Sequence, residues 1–451
     1  MFERILRLVD EVPEFDRFLG VDDLLAGIGA VAERHGDCAA LRRIGTSRLG
    51  EPLWSLTVAG GPKQAVVFAA VHPNEPVGGL TALHLARTLA ADAALREELG
   101  YTWHIIPCVD PDGTRLNEGW FEPPLTMRKY GRNFYRPAGK EQVEWSFPLA
   151  YKGVFFDAVI PETVALMRVF DETRPDFMCS LHNAEYGGVY YYVDSTTPEL
   201  SRRLAAIPEH LGLPLHTGEN EAPYMEELSP GVYRGLNARQ SIDYLESIGV
   251  DHTDRDAGDS SGSYVERYGT RYLVSEVPYW ANDDANDTTP LEISYAVLLR
   301  ERAKDLLEAD RVLSGLLASV ESDLAARSPY LRALRAFLPG LAKQAEIASA
   351  AADVPGGDRP AVVSERFHSA EVLQSVRMRY GGMLLSTLDG ELAIGNGTPA
   401  IRSAHARLTE VFERWADIAE AEVPATTIPI RKLVATQFGA ILGSVSLPAE
   451  G

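Results

Sequence analysis

Cysteine is scarce in this sequence: the 451 residues include three, Cys38, Cys108 and Cys179. Their number is odd, and their spacing is far too long for the Cys-x-x-Cys pairs of zinc and redox motifs. Cys108 and Cys179 lie in apolar, strand-like segments, where a thiol usually acts as a small buried hydrophobic group. The sequence therefore excludes a disulfide-stapled secreted domain and predicts buried thiols.

Positive charge and long apolar runs are also in short supply. Lys and Arg number 43 against 64 Asp and Glu, so the formal net charge is −21. Nucleic acids and anionic membrane surfaces bind clustered cations, so neither is expected as the main partner. No run of about 18 apolar residues is present to span a membrane. The first ten residues lack the apolar core of a signal peptide, and we expect a cytoplasmic protein.

Helix-like and strand-like segments alternate over the first 280 residues. Val21–Arg34 carries apolar residues at helical spacing. Ala65–Val71 is a continuous apolar run, which is typical of a strand buried on both faces of a sheet, and Thr102–Val109 is a second such strand. Strands interleaved with helices predict an α/β fold with a mixed, largely parallel sheet flanked by helices.

Beyond about residue 288 the pattern becomes helical. Apolar residues recur at helical spacing over Leu291–Val320, and Tyr330–Ala352 and His405–Ala421 show the same pattern. We therefore predict two domains, one over residues 1–325 and a mostly helical C-terminal region over residues 326–451.

Two histidines follow predicted strands where those strands end. His72 opens the sequence His72-Pro-Asn-Glu75 after the first buried strand, and His182 ends the strand-like segment Asp176–Leu181. Ligands bind at the carboxyl ends of strands in open α/β sheets. Imidazole and carboxylate groups both bind zinc, and a catalytic zinc takes three protein ligands. A single such histidine is often structural, but two strand-end histidines together favour a metal site.

The His-x-x-Glu spacing is weak evidence alone, because it also occurs elsewhere in the chain. His216/Glu219 and His368/Glu371 have the same spacing but lie in polar segments without a preceding buried strand. We interpret these two pairs as surface residues.

Glu276 lies inside the apolar segment Tyr272–Pro278. Burial of an unpaired carboxylate is costly, so this side chain is expected to be paired, protonated or catalytic. A carboxyl group with a raised pKa could transfer protons near neutral pH.

These motifs, in this order, resemble those of the zinc metallocarboxypeptidases, a family related to the succinylglutamate desuccinylases and aspartoacylases. His72-x-x-Glu75 resembles the family's first metal motif, and Asp110-Pro-Asp-Gly113 resembles its Asn-Pro-Asp-Gly turn. Pro161-Glu-Thr-Val-Ala-Leu166, Ser180-Leu-His182 and the segment that ends in Glu276 match later motifs. The resemblance covers about residues 21–280.

The resemblance implies a set of roles for individual residues. His72, Glu75 and His182 would bind one zinc ion per chain, and Glu276 would be the general base. Arg128 would stabilise the oxyanion.

Three further residues would bind substrate by the same resemblance. Arg132 and its neighbour Asn133 would hold the substrate's terminal carboxylate, for which the planar guanidinium fork is suited. Tyr264 would line the side-chain pocket.

The sequence also departs from the family pattern on the substrate side. Gly131 stands where the family has an asparagine, and Lys129 where it has an acid that supports a zinc histidine. Ala257 falls at the position of the family's mobile tyrosine, with His252 as the nearest substitute. These departures change the substrate-binding side and leave the predicted zinc ligands and Glu276 in place.

The sequence thus predicts a zinc-dependent hydrolase of an amide bond next to a free carboxylate. Its substrate would be a small peptide or an acyl-amino acid, and deacylation of N-acyl amino acids on the same zinc centre is the alternative. A non-catalytic zinc-binding module is a further alternative, although such a module has no need for a buried Glu276 beside the metal.

Overall fold

The computed structural model describes residues 1–218, 220–252, 255, 257–354 and 356–447, and these form two compact units. The first unit comprises Met1–Arg115, Gly139–Tyr279 and the chain from Ile428 onward. The second comprises Leu116–Ala138 and Trp280–Thr427. Across the described ranges, no helix combines the length and apolar character that crossing a membrane requires.

The strands are short in both units. In chain order they are β1 (Ala39–Thr46), β2 (Pro52–Val58), β3 (Lys63–Ala69), β4 (Tyr101–Ile106), β5 (Leu149–Tyr151), β6 (Val154–Phe156), β7 (Phe177–Ala184), β8 (Tyr190–Val193), β9 (Glu227–Ser229), β10 (Val232–Arg234), β11 (Arg271–Pro278), β12 (Trp280–Ala281), β13 (Pro290–Ser294), β14 (Pro360–Val362) and β15 (Thr426–Thr427).

The helices are longer toward the end of the chain. They are α1 (Phe2–Asp10), α2 (Val21–Arg34), α3 (Val77–Ala91), α4 (Ala93–Leu99), α5 (Pro111–Arg115), α6 (Met127–Arg132), α7 (Pro161–Thr173), α8 (Pro198–His210), α9 (Ala238–Ser247), α10 (Ser261–Val265), α11 (Tyr295–Ala318), α12 (Pro329–Ala352), α13 (Val363–Ala393), α14 (Pro399–Glu422) and α15 (Ile430–Val445).

A nine-stranded mixed sheet forms the centre of the first unit. Its strand order is β1-β2-β4-β3-β7-β11-β8-β10-β9. The four central strands β4, β3, β7 and β11 are parallel to their neighbours in that run. The apolar run over Ala65–Ala69 in β3 is completely buried, as its composition predicts. The predicted fold class, a mixed sheet flanked by helices, is confirmed.

Register brings the ends of three strands together. The β3–β7 ladder ends at the pair Ala69 and Leu181, one residue before His182. His182 on β7 is the register partner of Glu276 on β11, and Glu276 is also opposite Tyr190 on β8. Side chains at paired positions project from the same face of a sheet, so these positions form a row.

The second unit is mainly helical. The side chains of Ser294, Ser328 and Thr398 cap α11, α12 and α14 by accepting hydrogen bonds from backbone N–H groups in the first turn. Helix α13 is the longest of the described helices, with 31 residues. Two short antiparallel strand pairs, β12 with β15 and β13 with β14, complete this unit.

The borders of the units differ from the predicted division at residue 325. Helix α11 precedes that border yet belongs to the second unit, whereas α15 follows it and belongs to the first. Apolar periodicity shows that a helix has a buried face but does not show which partner covers that face. The three cysteines are free thiols; Cys179 is buried and the other two are half-buried.

Candidate active site

The loop between β3 and α3 presents His72 and Glu75 at the end of the sheet. The backbone N–H of Glu75 donates to the carbonyl of His72 at 3.0 Å and closes a tight turn. Helix α3 then passes very close to the sheet: a Cβ on Gly78 would lie 2.8 Å from Leu181 Cβ and 2.9 Å from Ala69 Cβ. Glycine at 78 therefore allows the metal loop to lie directly beside the end of β7.

Glu75 lies between the two histidines. Its Oε1 is 3.1 Å from His72 Nδ1, and its Oε2 is 3.0 Å from His182 Nδ1. The two imidazole rings meet edge to face with centroids 4.9 Å apart. All three residues are buried, and one ligand atom from each lies within 4.8 Å of the others. The structure thus brings together the three residues that the sequence predicts as metal ligands.

The electrostatics of this cluster favour a cation. Burial alone would raise the pKa of the Glu75 carboxyl, but the charge of His72 and the hydrogen bond from His182 hold it well below its usual range. Burial lowers the pKa of His182, yet the hydrogen bond with Glu75 and the negative charges of Glu276 and Glu144 raise it to about 9. Positive charge is therefore stabilised between these carboxylates.

The donor set fits a zinc ion. Two imidazole nitrogens and a carboxylate are a catalytic zinc ligand set, which leaves one position open. The outer nitrogen of His182 is also engaged, because Nε2 lies 2.8 Å from Ser180 Oγ. Such contacts fix the ring orientation and tautomer of a metal-binding histidine. Sequence patterns gave no sign of this role for Ser180.

Asn183 ties the metal loop to β7. Its backbone N–H donates to Glu75 Oε2 at 3.3 Å, and its side-chain oxygen accepts from the N–H of Val77 at 3.3 Å. Its side-chain nitrogen donates to the carbonyl of Val277 at 3.2 Å. One asparagine thus connects the loop, β7 and β11 immediately beside the ligands.

Glu276 lies at the edge of the same cluster. Its Oε1 is 3.7 Å from His182 Nδ1, and the residue is 8% exposed. A buried carboxylate one side chain away from a metal ligand can exchange protons with a substrate held there. The structure therefore places the predicted base beside the predicted metal ligands.

A second buried acid, Glu144, was missed from the sequence. Its Oε1 accepts hydrogen bonds from the backbone N–H and the hydroxyl of Ser261, both at 3.0 Å. Burial raises the pKa of Glu144, while the charge of His182 lowers it. Because this glutamate comes from an irregular segment, no periodic pattern marks it.

Tyr190 was also missed. It faces Glu276 across the β8–β11 pair, and its hydroxyl donates to Glu221 Oε1 at 2.6 Å. Tyr192, two residues further on, donates to the other oxygen of Glu221 at 2.5 Å. Burial raises the pKa of both phenols, so both remain neutral donors.

The predicted arginines lie in the second unit, where acidic side chains bind them. Arg128 on α6 pairs with three acids of α14, and its hydrogen bonds to Glu420 and Asp417 raise its pKa. Arg132 pairs with Asp389 and donates to Ser386 Oγ at 3.2 Å.

Asn133 ends α6 and donates from its side chain to the carbonyl of Lys129 at 2.9 Å. The substrate roles of these three residues stay predictions.

Tyr264 on α10 packs among aromatic residues of the first unit. Its hydroxyl donates to Asp171 Oδ1 at 2.8 Å, and the guanidinium of Arg267 lies 3.8 Å from its ring centre. Its ring also packs against Phe147 and Phe170 in the core. These contacts explain its burial, and its predicted contact with substrate stays a prediction.

The other His-x-x-Glu pairs behave differently. His368 and Glu371 lie on α13 with Nδ1 and Oε2 3.6 Å apart, and no third ligand joins them among the described residues. Of the remaining pair, His216 contacts the ring of Tyr190, while Glu219 lies outside the described residues.

Comparison with known families agrees with this site. A model of the zinc carboxypeptidase family matches residues 24–228, which include His72, Glu75 and His182. This match confirms the resemblance to zinc carboxypeptidases that the sequence predicts. This similarity supports the predicted zinc metallocarboxypeptidase-like hydrolase. Glu276 lies beyond the matched segment. A comparison with curated proteins gave no match.

Solved structures of metallocarboxypeptidases are similar to parts of the chain. A metallo-carboxypeptidase from Burkholderia cenocepacia is 18% identical, with a TM-score of 0.34 over 58% of this chain and 60% of that chain. Carboxypeptidase A from Helicoverpa armigera is 12% identical, with a TM-score of 0.40 over 78% of this chain and 80% of that chain. The murein-tripeptide amidase MpaA from Escherichia coli O157 is 20% identical, with a TM-score of 0.28 over 55% of this chain and 86% of that chain.

Proposed function

We propose that the protein is a zinc-dependent hydrolase that cleaves an amide bond next to a free carboxylate. The observation that carries this proposal is the position of Glu276 next to a three-ligand cluster. The Glu75 carboxylate contacts both histidines, and Glu276 lies 3.7 Å from one of them. A protein that only stored or sensed zinc would gain nothing from this second buried carboxylate.

One zinc ion per chain would be held by His72, Glu75 and His182. Bound there, zinc would act as a Lewis acid that polarises the scissile carbonyl and makes water more acidic.

The protein's own groups would move the protons. Glu276 would accept a proton from the attacking water and deliver it to the leaving amine, as its buried position beside His182 allows. Asn183 and Ser180 would hold the loop and the ring of His182 in place during this transfer. Tyr190, neutral and opposite Glu276, lies on the same row of the sheet, and its hydroxyl donates to Glu221.

The free carboxylate is the part of the proposal that rests on the resemblance alone. Arg132 is the residue that the resemblance assigns to this carboxylate, and Arg128 is assigned to the oxyanion. Both guanidinium groups have acidic partners in their own unit. A substrate carboxylate would have to compete with these partners for the same hydrogen bonds.

The proposal is tested by zinc content and turnover together. The full chain should contain one equivalent of zinc after extensive dialysis. It should hydrolyse N-blocked dipeptides or N-acyl amino acids that carry a free carboxylate, and a chelator should abolish this activity. Preference between the two substrate sets decides between a peptidase and a deacylase. Zinc at one equivalent with no turnover of either set would instead support the non-catalytic zinc-binding module.

A further inference from the structure

Helix α15 carries a fully buried side-chain amide. Gln437 is 0% exposed and lies in the middle of this helix. Helix α15 is fixed against its neighbours: a Cβ on Gly439 would lie 2.8 Å from Val9 and 3.0 Å from Ile207. A buried amide is costly unless its donors and acceptor are satisfied, so its partners are informative.

The partners of Gln437 lie in three different elements. Its Nε2 donates to the carbonyl of His182 on β7 at 2.8 Å and to the carbonyl of Ser275 on β11 at 3.2 Å. Its Oε1 accepts from the hydroxyl of Thr81 on α3 at 2.7 Å. The amide orientation is defined, because two backbone carbonyls can only accept hydrogen bonds.

Each of these contacts is adjacent to the candidate active site. His182 is itself a proposed metal ligand, Ser275 precedes Glu276, and Thr81 lies in the first turns of the helix that follows Glu75. One side chain therefore connects the strands that carry His182 and Glu276 to the helix that follows the His72–Glu75 loop. The β3–β7 ladder stops one residue before His182, so this residue lies where the sheet alone constrains β7 less.

We propose that Gln437 is a positioning residue for the zinc site and for Glu276. Its amide links the carbonyls of His182 and Ser275 on the paired strands β7 and β11, and its contact with Thr81 holds α3 to both strands. This inference rests on the proposed function. It adds that a helix far from every active-site motif in the sequence sets the geometry of the site.

The test compares an apolar replacement of Gln437 with a control substitution at a neighbouring residue. Gln437→Met preserves the approximate volume and removes both donors. The control is Thr436→Val, because Thr436 is also fully buried in α15 but donates only to the carbonyl of Lys432 within its own helix, at 2.8 Å. The zinc dissociation constant is measured by competition with a chelator, and kcat and KM are measured on the best substrate.

A positioning role predicts a specific pattern. Gln437→Met should weaken zinc binding about 10–100-fold and lower kcat by a similar factor, as loss of a supporting contact does at metal sites, while KM changes little. Thr436→Val should leave zinc affinity and kcat within about twofold. Zinc affinity and kcat close to wild type in Gln437→Met would overturn the inference. Equal losses in both variants would also overturn it, because the effect would then be general destabilisation of α15.

A second pair of variants keeps the inference testable if Gln437→Met does not fold. Thr81→Val removes the hydroxyl and leaves Gln437 in place, whereas Thr81→Ser retains the donor. Thr81→Val should weaken zinc binding, whereas Thr81→Ser should bind zinc about as tightly as the wild type. Equal zinc affinity in these two variants would refute the role of the contact. A wild-type chain that binds no zinc would instead refute the proposed function, so the two failures are distinguishable.

Discussion

His182 and Glu276 are register partners on the adjacent parallel strands β7 and β11, and His182 Nδ1 lies 3.7 Å from Glu276 Oε1. The pairing of two strands therefore sets the separation between a metal ligand and the proposed base. Because the ladder fixes both backbones, substitutions at these two positions should separate metal binding from proton transfer.

Substitution of His182 should remove the metal. His182→Ala leaves two ligands, and we expect the variant to lose zinc on dialysis and to lose activity, because zinc sites of this kind need three protein ligands. Elemental analysis measures the loss. His368→Ala, at a histidine paired with Glu371 on α13, is the control and should retain one zinc. Full zinc content in His182→Ala would refute the ligand assignment.

Substitution of Glu276 should spare the metal and slow the reaction. Glu276→Gln keeps the shape of the side chain and removes its basicity. General acid–base catalysis contributes about 10²–10⁴-fold, so kcat should fall by this factor while zinc content stays at one equivalent. Near-wild-type turnover with full zinc would show that another group is the base.

Buried Asp110 should make stability depend on pH. Burial raises the pKa of Asp110 from its ordinary 3.8 to about 7, and Glu162 and Asp112 add to this effect. The folded protein then binds the proton more tightly than the unfolded chain. The contribution of Asp110 to the free energy of unfolding should therefore be most favourable below pH 4 and should decline as pH rises to about 7.

Asp110→Asn should remove this dependence. The carboxamide oxygen can still accept the hydrogen bond from the N–H of Gly113, which is 2.9 Å from Asp110 Oδ1. We expect the free energy of unfolding at pH 8 to rise by on the order of 1–4 kcal/mol, with little change at pH 4. Urea unfolding at the two pH values measures the difference. An equal change at both pH values would contradict this explanation.

Substitution of Arg132 should reveal whether the enzyme selects a free carboxylate. If Arg132 binds it, Arg132→Ala should lower kcat/KM on the free acid by an amount equivalent to about 1.5–3 kcal/mol per charged hydrogen bond, with little change on the amide. Arg132→Lys should recover only part of the loss, because an ammonium group cannot form two parallel hydrogen bonds.

The matched control for Arg132 is Arg335→Ala, which removes a surface arginine paired with Glu321 in the same unit. This variant should leave the ratio of kcat/KM on the free acid to kcat/KM on the amide unchanged. A wild-type enzyme that cleaves free acid and amide equally well would exclude the carboxylate anchor.

The sequence predicts which residues lie together at the edge of the sheet, because the ends of the strands determine their positions. His72 and His182 follow short apolar runs that are typical of buried strands, and parallel strands bring their carboxyl ends to one edge. Glu276 stands out because burial of a carboxylate within an apolar segment is costly unless the group is paired, protonated or catalytic. These inferences need only local sequence patterns and the rule that ligands bind at the carboxyl ends of parallel strands.

Long-range partners could not be predicted in this way. The acids that bind Arg128 occur at Glu413, Asp417 and Glu420, a spacing that marks one face of a helix. That pattern predicts an acidic face but not which arginine it contacts. Gln437 is less visible still, since a single amide in an apolar helix has no periodic signature.

The order of the elements along the chain has a consequence for biosynthesis. The ribosome completes β7 and β11 first, then residues 280–427, and only then α15. A nascent chain that ends between residues 280 and 427 has all the proposed metal-binding side chains but lacks Gln437. Such contacts between distant parts of a chain form late in folding. We therefore expect an unfinished polypeptide on the ribosome to bind zinc more weakly than a chain whose translation has passed α15.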